Sequence, residues 1–187
     1  TIEHARIIPR DCSLAGAEIR SALERRLAGD ADAKLPRDDE RLNAIVSSFD
    51  PTLCRQVLTG LARSGTYYVP THETREMDAR AGDPDYRNDP RLAYVPERLR
   101  GFWAQDLESR DHASSPATAA AYRTFFDHGL SITRLAFESG IPVMVGTDAN
   151  DTMSIPGFSL HDELLHLSRA GLSPMDILRA ATTVPAT

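Results

Sequence analysis

Two kinds of hydrophobic pattern alternate along this chain. Short unbroken apolar runs, the mark of strands buried on both faces, are separated by longer stretches with apolar residues every three or four positions. Ile141-Pro142-Val143-Met144-Val145 is such a run, ended by Gly146 and followed two residues later by Asp148. Thr66-Tyr67-Tyr68-Val69-Pro70 is a second, rich in aromatic and β-branched residues, with Thr71-His72-Glu73-Thr74-Arg75 directly after it. Thr1 to Ala5 reads as the last residues of a third strand, with His4 at its mouth.

Helical spacing fills the intervals. Ala15, Ile19, Ala22, Leu23 and Leu27 mark a helix over Ser13 to Leu27, broken by Gly29-Asp30-Ala31-Asp32. Leu42, Ile45 and Val46 mark another over Asp38 to Ser47. Asp50-Pro51 opens the next, with proline at the favoured first position, Leu53, Val57, Leu58 and Leu61 as its stripe and Gly65 as its terminal cap. Ala117 to Ser139 is the longest, and Gly140 ends it. Ser159 and Ser173-Pro174 start two more, with Asp162 and Asp176 placed as in a capping box. Helix, glycine, strand, polar cluster thus occurs twice, which predicts βα units and a parallel sheet.

The stretch from Glu76 to Pro116 departs from this order. Asp83-Pro84, Asp89-Pro90, Val95-Pro96 and Ser115-Pro116 interrupt it, and Leu99, Phe102, Trp103 and Leu107 suggest one short amphipathic helix. It is too long for an ordinary connection between such units and reads as an insertion or lid, the alternative being a surface-packed excursion.

Composition narrows the class. With 187 residues, 41% hydrophobic and 26% charged, the chain can form one domain with a core. A net charge of -6 and the lack of a Lys/Arg-rich run argue against a nucleic-acid partner. No apolar run approaches the roughly 20 residues of a membrane span. Cys12 and Cys54 form neither a disulfide framework nor a metal-spaced pair and read as small core residues. Thr1 is not preceded by a methionine, so the chain reads as part of a longer protein whose compartment stays open.

His4, His72 and Asp148 each follow a strand-like run, and in parallel α/β folds catalytic groups collect at that end of the strands. Two imidazoles and a carboxylate suit Zn²⁺ or a similar divalent ion, which lowers the pKa of water to about 7. A carboxylate such as Asp148 can take a proton from that water and return it to a leaving group. The structural alternatives are a hydrogen-bonded histidine and an aspartate that caps a turn. His161 and His166 are five residues apart, roughly 140° around a helix, so they do not make a helical zinc-protease pair. His166, His112 and His128 read as surface.

Five segments in order carry a resemblance. They are Ile2-Glu3-His4, Tyr68-Val69-Pro70-Thr71, Val145-Gly146-Thr147-Asp148-Ala149, Pro156 to Leu164, and Ala170-Gly171-Leu172-Ser173-Pro174 with Leu178-Arg179-Ala180-Ala181-Thr182. Together they resemble the amidohydrolase superfamily of metal-dependent (β/α)8 hydrolases, and most closely its imidazolonepropionase-like and prolidase-like branch. The resemblance implies the C-terminal part, about strands six to eight, of a TIM-type barrel. It implies His4 as a metal ligand and Asp148 as metal ligand and proton shuttle. His72, Tyr68 and Arg75 become substrate-contact candidates, and His161 a residue supporting Asp148. Zn²⁺ is the expected ion, one or two in the complete protein. The implied reaction is hydrolysis of an amide or peptide-like C–N bond in a small molecule or dipeptide. The alternatives are a cyclic-amidine or imidazolone substrate and a catalytically silent barrel fragment. Self-association is left open. The family's His-x-His pair, bridging lysine and earlier histidine have no counterpart here and would lie upstream of Thr1.

Overall fold

The computed structural model describes residues 1–113 and 115–187, with the backbone alone at 111–113. The expectation that His112 lies on the surface falls outside the described side chains. Two short strands, β1 (Ile2–Glu3) and β2 (Tyr68–Val69), pair in parallel with Ile2 opposite Tyr68 and Glu3 opposite Val69. A third segment runs parallel along the other side of β2, where Tyr68 bridges Val143. Tyr68 N–H donates to the Pro142 carbonyl at 2.9 Å, and Met144 N–H donates to the Tyr68 carbonyl at 2.8 Å. This segment is shorter than the strand expected from its sequence. Pro142 has no N–H to donate to β2, and Val145 N–H, on the side away from β2, bonds the Ala180 carbonyl.

Around this ladder run α1 (Ile7–Asp11), α2 (Gly16–Leu27), α3 (Asp38–Ser47), α4 (Pro51–Arg63), α5 (His72–Arg80), α6 (Pro84–Arg87), α7 (Glu97–Ala113), α8 (Pro116–Glu138), α9 (Phe158–Arg169) and α10 (Pro174–Ala181). Their starts follow local chemistry. Asp50 accepts from Leu53 N–H at 2.6 Å and Ser115 from Thr118 N–H at 3.2 Å, each with proline at the first turn. Ser173 caps α10 in the same way. The capping box expected at Ser159 is not formed. Helix α9 starts at Phe158, Ser159 Oγ accepts from Ile155 N–H, and Asp162 pairs with Arg91.

Helix α8 packs on both α3 and α5. Its buried side chains Leu130, Ile132 and Ala136 join Ile8, Leu58, Tyr68, Val143 and Leu167 in the main core. Residues 76–116 are not featureless. They form the end of α5, α6, a 3-10 turn at Pro90–Tyr94 and α7, and bury Met77, Tyr86, Trp103 and Leu107 with Met153 and Ile155 in a second core. Cys12 and Cys54 are buried as expected, but they are bonded to each other across 42 residues rather than left as thiols. Linear spacing does not reveal that the end of α1 meets the first turn of α4. Among the described residues no helix is long and apolar enough to cross a membrane.

Gly146 is where the third segment passes close over β2. A β-carbon there would lie 2.5 Å from Val69 Cγ1. Gly146→Ala must push the Asp148 loop or Val69 aside, and is expected to lower unfolding free energy by about 1–3 kcal/mol in urea titration. An unchanged midpoint would show that this contact does not constrain the loop.

Candidate functional site

The three parallel segments end together, and each turns sharply on leaving the ladder. His4, Thr71 and Asp148 have φ of 67°, 44° and 55°, the left-handed region that non-glycine residues rarely occupy. Such a conformation costs on the order of 1–3 kcal/mol per residue, and residues held in it cluster at functional sites. At Thr71 the β-branched side chain makes it a clear outlier.

These turns bring the side chains together. His4 Nδ1 lies 2.8 Å from Thr71 Oγ1 and 3.9 Å from Asp148 Oδ2. Thr71 donates its hydroxyl hydrogen to the Pro70 carbonyl at 2.8 Å. A hydroxyl has one hydrogen, so Oγ1 accepts from His4, and the His4 proton sits on Nδ1. The other nitrogen, Nε2, then carries the lone pair and is available to a ligand. His4 is 26% exposed at its side chain and Asp148 50%, so both reach solvent.

They open onto a cavity of about 660 Å³. Arg6, Arg75, Asp78, Arg110, Tyr122 and Asp151 are among its lining. Asp78 is nearly buried between the Arg75 and Arg110 guanidiniums. Arg110 also bonds Asp106 at 2.9 Å, and Asp106 accepts from the Thr152 hydroxyl at 2.7 Å. Helix α7 of the 76–116 segment is therefore tied both to α5 and to the loop that follows Asp148. Arg75 lines the cavity, as its candidacy required, though its charge is already partnered.

Three other candidates lie elsewhere. Tyr68 is fully buried beneath the ladder beside Thr133, and burial pushes its phenol above the ordinary range. His72 begins α5 but turns away from the cavity into the core. Its Nε2 bonds Thr133 Oγ1 at 3.0 Å, and its ring packs edge-on against Phe126 and His166. Burial, and then the charges of His166, Arg169 and Arg75, hold its pKa down to about 3. The strand-end position suggested a pocket mouth for His72. A helix starting at that residue rotates its side chain inward. His161 is exposed on α9. His128 is half-buried against Phe49 rather than free on the surface.

A second polar group lies on the opposite face of α5. His166 is buried, not solvated, with Nε2 at 3.2 Å from Glu73 Oε1 and 3.3 Å from Glu76 Oε2. These three residues place ligand-type atoms within 4.8 Å of one another, a set able to hold a metal ion. Below them Glu163 is fully buried, accepts from Glu73 N–H at 3.1 Å, and is pushed up to about 8 by burial. The carboxylates at i and i+3 in His72-Glu73-Thr74-Arg75-Glu76 were a legible signal, but only if that stretch is read as a helix.

No family model matches the chain, and no curated protein matches it. Among solved structures it is similar to a bottromycin amidohydrolase, with a TM-score of 0.53 and 23% sequence identity over 91% of this chain and 43% of that one. That likeness is one of fold, and the chain spans less than half of that protein's length.

Because His72 stays neutral in the folded protein well below its unfolded pKa of about 6.5, the unfolded chain takes up a proton first on acidification. Its contribution to stability is complete above about pH 6.5 and is lost as pH falls toward 3, by about 1.4 kcal/mol per unit at most. Urea unfolding of wild type and His72→Gln at pH 7, 6, 5 and 4 is expected to give a shallower slope for the variant, by about one proton. Parallel slopes would refute a neutral buried His72.

Proposed function

We propose that this chain is the C-terminal part, about strands six to eight, of a (β/α)8 barrel, and that the barrel is a metal-dependent hydrolase of C–N bonds. The observation that carries the reading is the meeting of His4 and Asp148 at the ends of two parallel segments, beside a large cavity and in strained backbone. The fold shared with an amidohydrolase supports it.

The donor set fits a divalent ion as two corners of a site. His4 offers a lone pair on Nε2, and Asp148 offers a half-exposed carboxylate. Among the described residues no third His, Cys, Asp or Glu joins them, so further ligands belong to other parts of the barrel. When bound, such an ion supplies Lewis-acid polarisation of the amide carbonyl and of water. The remaining work falls to this chain. Thr71 fixes the His4 tautomer and ring orientation through Nδ1. Asp148 accepts the proton that the attacking water loses and returns it to the leaving nitrogen as the C–N bond breaks.

The cavity lining narrows the substrate class to amides bearing a carboxylate, such as dipeptides or N-acyl amino acids. Arg6 is exposed beside His4, lines the cavity and makes no close ion pair among the described residues, although its charge reaches Asp78. A guanidinium so placed suits the planar carboxylate of a substrate.

In the full-length protein, Asp148→Asn is expected to lower kcat on a dipeptide and N-acyl amino acid panel by about 10²–10⁴-fold. Wild type that contains no divalent metal, or an Asp148→Asn variant of undiminished kcat, sinks the reading. Arg6→Gln should raise KM about tenfold for substrates with a carboxylate while leaving kcat nearly unchanged. An equal effect on the corresponding amide-capped substrates would remove Arg6 from carboxylate recognition.

A further inference from the structure

Helix α5 separates two polar regions. Thr74, Arg75 and Asp78 face the cavity that contains His4 and Asp148. Glu73, Glu76 and Arg80 face another cavity, of about 340 Å³, which His166 closes from α9. None of the second group lines the first cavity, so the two are distinct places in the fold.

The second group is built as a ligand set. Glu73 and Glu76 are one helical turn apart on one face of α5, and His166 meets both. Glu73 and His166 are 5% and 4% exposed, yet Glu73 Oε1 and both His166 ring nitrogens lack a hydrogen-bond partner. The two contacts to His166 Nε2 therefore do not satisfy hydrogen-bond geometry, although they are short. Ion ligands show this disposition, because each points at a shared centre rather than at its neighbour. Four ligands about 2.0–2.1 Å from a tetrahedral ion lie about 3.3–3.4 Å from one another. The observed separations from Nε2 are 3.2 and 3.3 Å.

Supporting contacts hold the carboxylates in place. Arg80 donates to Glu76 Oε1 at 3.3 Å, leaving Oε2 directed at His166. Glu73 is fixed through its backbone N–H to Glu163. Charged ligands oriented from behind in this way are characteristic of metal sites. Two carboxylates and one imidazole balance the charge of a divalent ion, and the adjoining cavity leaves room for water as the remaining ligand.

We propose that Glu73, Glu76 and His166 form a binding site for a first-row divalent cation of the Zn²⁺ class, separate from the His4–Asp148 pair, and that the ion pins α5 to α9. The ion links two carboxylates of α5 to the imidazole that α9 supplies. It does not depend on the hydrolase reading.

The test uses the full chain, stripped by a chelator and titrated with Zn²⁺ alone. Wild type and Asp148→Asn are compared, and zinc at the cluster is the equivalent whose affinity does not change with Asp148. That equivalent is expected to bind and to raise Tm. Adding Glu76→Gln, which keeps side-chain shape, is expected to weaken binding by about 100-fold and to abolish the Tm rise. Unchanged affinity in that variant overturns the site. A second measurement needs no substitution at the cluster. In ¹⁵N-histidine-labelled chain, one equivalent of Zn²⁺ should shift the His166 ring nitrogens. A His166 signal that stays still while zinc binds elsewhere also overturns the site, and leaves a protonated His166 between two carboxylates as a structural ion pair.

Discussion

The parallel ladder centred on Tyr68 is the interaction on which the rest of the structure depends. Tyr68 gives its N–H to the Pro142 carbonyl and its carbonyl to Met144 N–H, while the chain on either side of it bonds β1. This puts the ends of three segments that are far apart in sequence at one level. His4, Thr71 and Asp148 follow at those ends, and all three leave the ladder with positive φ. A one-residue slip in either pairing would turn alternate side chains to the opposite face and separate His4 from Asp148. The close passage of Gly146 over Val69 sets the height of the third segment and so fixes where the Asp148 carboxylate stands.

Helix α5 is the second organising element. It starts directly after Thr71, so its rotation is set by the same turn that aligns the site. One of its faces gives the strand-mouth cavity Arg75 and Asp78, and the other gives Glu73 and Glu76 to the contact with α9. The 76–116 segment is bound to this helix through Arg110, which reaches Asp78 from α7. A chain stretch that interrupts the βα pattern thus ends up as one wall of the cavity. The fold also accounts for charges that have no place in the proposed chemistry. His72 stays neutral because it lies among aromatic rings and positive charges, and Glu163 favours its protonated form because it is fully buried.

What the sequence by itself determined is the set of local elements and the residues at strand ends. Helices α2, α3, α4, α8 and α10 lie where 3.6-residue periodicity, Asp50-Pro51 and Ser173-Pro174 place them, because these signals act within a few residues. His4 and Asp148 were legible as strand-end residues because each follows a strand-like run, and a parallel ladder aligns whatever follows its strands. The tertiary structure decided everything that depends on rotation and distance. It made a helix of His72-Glu73-Thr74-Arg75, turned His72 from a cavity into the core, and buried His166 against Glu73 and Glu76. It also joined Cys12 to Cys54. A residue's pattern in the chain states which face it occupies, but what that face meets is fixed only when distant helices pack upon it.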